Sequence, residues 1–130
     1  MLEQEQHVKL ITLILRQTEL IYQSIISIVC KITRLSKAVS LSFARQRDFI
    51  EEIIQGMTIK GNGVSGEITN PQIVKQGLEI SLSICMAYSN PRHFIDSHNL
   101  KPLFIQLKSI AQARNLVIIE EIAGTLLDIS

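Results

Sequence analysis

Arg47-Asp48-Phe49-Ile50-Glu51 returns 45 positions later as Arg92-His93-Phe94-Ile95-Asp96. The stretch beyond each copy echoes too. Leu78, Leu82 and Cys85 have the spacing of Ile122, Leu126 and Ile129, 44 positions further on. A recurrence of roughly 40–47 residues is the interval at which stacked helical units repeat, each burying one face on its neighbours. The expected fold is all-α, a short stack of helices forming one domain over residues 1–130, with a further alternative that this is a fragment of a longer chain.

Working outward, residues 3–35 contain neither Gly nor Pro, and Leu10, Leu13, Ile14, Ile21, Ile25, Ile28, Val29 and Ile32 recur at helical steps. The pattern predicts either one long helix or two separated near Gln17-Thr18. Residues 36–42 are softer, and a second helix is expected from about Leu41 to Met57, weakened at Gly56. Three of the six glycines then fall within Lys60-Gly61-Asn62-Gly63-Val64-Ser65-Gly66. Residues 60–67 therefore read as a Gly-rich loop between helices. It is not a phosphate cradle, because Glu67 stands where a P-loop needs Lys. Asn70-Pro71 is an N-cap followed by Pro at the first helical position, opening a helix to about Tyr88. Ser89-Asn90-Pro91 repeats the device before a short helix over 91–97. Asn99 suits a left-handed turn, Pro102 sits in the first turn of a helix ending near Ala113, and Arg114-Asn115 is a corner. The last helix, 116–129, is apolar on more than one side, as a helix that stacks on another subunit would be.

Composition narrows the function classes. Hydrophobic residues make up 46% of the chain, so a core can form without metals or disulfides. The 13 basic and 12 acidic residues nearly cancel, which predicts no strong overall attraction to nucleic acid or to an acidic membrane. No apolar run reaches the roughly 18–20 residues of a membrane span, so no membrane association is expected. Cys30 and Cys85 fall inside apolar helical patterns and are expected to be buried, reduced thiols, a disulfide or a reactive site being the alternatives. There is no basic start with an apolar run of signal-peptide length, and no Asn-x-Ser/Thr acceptor. An intracellular protein, cytoplasmic or nuclear, is expected.

No reaction chemistry stands out. His93 and His98 are five apart and do not share a helix face, and no Cys lies at metal spacing from them. Glu51-Glu52 and Glu120-Glu121 diverge by about 100° on a helix, whereas general acid–base work needs carboxylates opposed across a pocket. No nucleophile elbow or dinucleotide fingerprint is present. The chain is expected not to be an enzyme and to use no cofactor and no metal. Lys31, Arg34, Lys37, Arg45 and Arg47 fall in a segment without an acidic residue. Lys31, Arg34 and Lys37 share a helix side if that helix persists. They form either a solvated ridge or a docking surface for an acidic peptide or a phosphate backbone.

Residues 90–129 resemble one armadillo repeat: Asn90-Pro91 and Phe94-Ile95 match its short first helix, Leu100-Lys101-Pro102-Leu103, Leu107 and Ser109 its second, and Ile122, Leu126 and Ile129 its third. The helix over 71–88 looks like the third helix of the preceding unit. Asn99 replaces the usual turn Gly, Ile122 replaces a small Ala, and 45–70 lacks a Pro-Leu helix, so degenerate armadillo or HEAT-like repeats are expected, clearest over 70–129. The resemblance implies a short right-handed stack that acts as scaffold or adaptor and binds a peptide or helix of a protein partner. On that reading Lys75, Glu79 and Tyr88 are candidate contacts. The rival expectation is a homo-oligomer in which the N-terminal helix pairs with a copy of itself through Ile25 and Val29. Nucleic-acid binding through the basic ridge over 31–47 is a third.

Overall fold

A computed structural model describes residues 2–15, 19–60, 68 and 70–130, with side chains at 5–14, 21–58, 68 and 70–130. Among the described residues there are eight α-helices and no strand: α1 (Leu2–Leu15), α2 (Glu19–Leu35), α3 (Lys37–Ala44), α4 (Arg47–Gln55), α5 (Pro71–Ala87), α6 (Arg92–Ser97), α7 (Lys101–Ala113) and α8 (Val117–Ile129). A π-helical segment, Gly56–Lys60, continues directly from α4. The fold is all-α, as expected. The suspected break at Gln17-Thr18 lies outside the described residues, and so does the Gly-rich loop at 60–67 except for Lys60.

Local chemistry sets most helix ends. The Asn70 side chain accepts from the Ile73 N–H at 3.4 Å, with Pro71 opening α5. Asn90 Oδ1 accepts from the Arg92 N–H at 3.3 Å just before α6. α6 and α7 then end in the same way. Asn99 (φ 50°) and Asn115 (φ 59°) take the left-handed conformation. The next residue's N–H reaches back five positions, Leu100 to the Ile95 carbonyl at 3.0 Å and Leu116 to the Ala111 carbonyl at 2.8 Å. This is the Schellman arrangement, with Asn standing in for Gly.

The single helix expected over 41–57 is two helices. Ser36, in extended conformation, caps α3 by accepting from the Val39 N–H at 3.2 Å. A second corner follows at Arg45-Gln46, where Gln46 is again extended. Phe43 and Phe49 explain it. On one straight helix residues six apart point about 240° apart. The corner lets both rings enter one core, with centroids 4.5 Å apart and both side chains buried.

Gly56 does not end the helix but switches it to the wider π form. The buried Tyr22 of α2 donates its hydroxyl to the Glu52 carbonyl at 3.1 Å, on the turn that precedes Gly56. A Cβ at Gly56 would overlap that hydroxyl. Burial, and next the nearby Glu52 carboxylate, push the Tyr22 phenol well above its ordinary pKa, so it stays a donor.

α5 is the centre of the assembly. It packs on α2, α3, α6 and α8 as well as on the π-helical segment. Leu78, Ile80, Ile84 and Cys85 are fully buried there. α7 and α8 pack on each other, and α1 lies against α2, α3 and α4. Both copies of the near-repeat open a helix and bury their Phe-Ile pair, Phe49-Ile50 in α4 and Phe94-Ile95 in α6. Their places in the helix order differ, since α6 is followed by two α-helices and α4 by the π-helical segment and α5. The 45-residue recurrence thus marks a shared way to open a helix, not a shared position. The 44-residue echo falls on α5 and α8, which touch.

Gly56→Ala should destabilise the fold by about 1–3 kcal/mol, the usual range for overfilling a packed site. Thermal unfolding followed by circular dichroism measures it. In a Tyr22→Phe background, where the overlapping hydroxyl is gone, the same change should cost less, and an undiminished penalty would contradict the Tyr22–Gly56 contact.

Candidate functional site

A polar seam joins α2 to α5. The Gln76 amide donates to Ser27 Oγ at 2.9 Å. Cys30 Sγ donates to Glu79 Oε2 at 3.3 Å, and Arg34 Nη2 reaches the same carboxylate oxygen at 2.5 Å. Lys75 stands one turn away on α5, 3.8 Å from Glu79 Oε1. Arg34, Lys75 and Glu79, three of the candidate partner contacts, meet here: Arg34 of α2 pairs with Glu79 across to α5, and Lys75 pairs with Glu79 within α5, because a carboxylate only 19% exposed needs cations close by.

The basic ridge does not persist as one helix side. α2 stops at Leu35 and the backbone turns at Ser36, so Lys31 and Arg34 lie on α2, Lys37 opens α3, Arg45 caps its end and Arg47 opens α4. Lys31, Lys37, Arg45 and Arg47 are exposed. Arg47 and Glu51 of α4 lie close enough to His98 to act on its charge. Burial and then Arg47 lower the His98 pKa, with Glu51 opposing and His93 adding to the fall. Tyr88, half-buried at the end of α5, packs its ring on His93 with centroids 5.2 Å apart.

Of the two residues expected to pair with a second copy, the structure removes one. Val29 is 1% exposed and sits in this chain's own core, so it cannot meet a second copy. Ile25 is half-buried. Among the described side chains of α2, the exposed apolar ones are Ile21, Ile28 and Leu35, spaced by seven, with Ile28 at 57% and Leu35 at 85%. Periodicity alone left two apolar sides on this helix, and packing on α5 decided which one is inside.

What sequence reasoning missed is a groove of about 400 Å³ between α1, α2 and α3. Val8, Leu10 and Ile11 of α1, Ile32 of α2, and Val39 and Phe43 of α3 line it, with His7 and Ser42. Ser42 Oγ is used internally, donating to the Ala38 carbonyl at 3.1 Å. The surface offers van der Waals contact and very little polar chemistry. Only the corner at Ser36, which swings α3 back beside α1, creates it, and periodicity does not register such a corner.

Both cysteines are free and buried. Burial pushes the Cys85 thiol up to about 12. Cys30 is raised by burial and then by Glu79, against the opposing pull of Arg34. Among the described residues, no three His, Cys, Asp or Glu side chains converge as a metal site, and no helix is long and apolar enough to cross a membrane. Comparison of this chain with protein-family models, curated proteins and solved structures finds no match.

Two outcomes follow from this geometry. Glu79→Ala should lower stability by about 1–2 kcal/mol in denaturant titration, while Lys31→Ala stays within about 0.5 kcal/mol. Equal effects would mean that the seam does not hold α2 to α5. Cys85 ionises near 9.0 when unfolded but only near 12 when folded, so its contribution is complete below pH 9 and is lost as pH climbs toward 12. Cys85→Ala should flatten the fall in folding free energy over that window. A slope unchanged by the substitution would count against burial of the thiol.

Proposed function

We propose that this chain is a non-enzymatic protein–protein interaction module of helical-repeat type, a scaffold or adaptor built from degenerate armadillo- or HEAT-like units. It works inside the cell and holds an amphipathic helix of a protein partner. The observation that carries the reading is the apolar groove between α1, α2 and α3, with Leu10 at its margin 56% exposed. An apolar cleft between helices takes the i, i+3, i+4, i+7 face of another helix. Two further features support it. The succession α2 on α5 on α8 places helices from three parts of the chain side by side, as stacked units do. Both thiols are reduced and buried, which suits a reducing compartment. Nucleic-acid binding is less well supported, because the five cations lie on three helices and a corner, and Arg34 is engaged by Glu79.

The probe is a synthetic amphipathic helix of about four turns, with Leu and Ile on one face and Glu on its flanks. Calorimetric titration should show binding that Leu10→Lys weakens at least about tenfold, the effect of a charge at a hydrophobic contact. Leu10 is exposed, so the melting temperature should not change. Equal affinity in the variant, or no binding to the wild-type protein, would remove the groove from consideration.

A further inference from the structure

We draw no further inference here: the strongest candidate, the cleft of about 420 Å³ where the end of α2 and the start of α3 meet α5, lined by Arg34, Ser36, Lys37 and Ser40, carries nothing, because Glu79 already holds Arg34, the Ser36 and Ser40 hydroxyls bond backbone groups of this chain, and nothing in the structure shows what fills it.

Discussion

Burial of α5 on every side but one is the constraint that organises the molecule. A 17-residue helix with Leu78, Ile80, Ile84 and Cys85 fully buried must be covered by several neighbours at once. α2 and α8 both pack on it, α3 covers it further, and the π-helical segment closes another side. At about 25 cal/mol per Å² of apolar surface, four such side chains contribute on the order of 6–12 kcal/mol before chain entropy is set against them. No other described helix touches as many elements. The α2 and α8 ends inherit their positions from it, and so do the surfaces they present.

The seam between α2 and α5 shows how specificity is added to that burial. Apolar contact alone would let α2 slide or rotate. Ser27 with Gln76, and Cys30 and Arg34 with Glu79, fix its register. The Tyr22 hydroxyl on the Glu52 carbonyl fixes the same helix to α4, at the turn where the backbone widens into the π form. π-helical turns occur often where a side chain from another element intrudes, and Gly56 is the residue that leaves room for it. With rotation fixed, Val29 points inward and Ile28 outward, so the chemistry of the exposed face follows from contacts on the opposite side.

Sequence reading reached the parts whose causes are local. Asn70-Pro71, Asn99, Pro102 and Asn115 act on their own backbone, so the boundaries of α5 through α8 were legible within a residue or two. The corner at Arg45-Gln46 was not, because its cause is the meeting of Phe43 and Phe49 in a shared core, and neither residue is a turn former. The π-helical segment answers to Tyr22, far away in sequence. The surroundings of the candidate contacts were hidden for related reasons. Lys31, Arg34 and Lys37 share a face only on an unbroken helix, and Ser36 breaks it. Arg34 and Glu79 look like separate surface charges until α2 and α5 are brought together. The apolar groove exists only because α3 folds back beside α1.

Native-state hydrogen exchange along the chain is the most direct measurement of the claim that α5 is the central support. Amides from Leu78 to Cys85 should exchange only through global unfolding, with protection equal to the full folding free energy, and α1 and the outer turns of α8 should open at lower cost. Local opening of α5 at lower free energy than α2 or α8 would contradict the account.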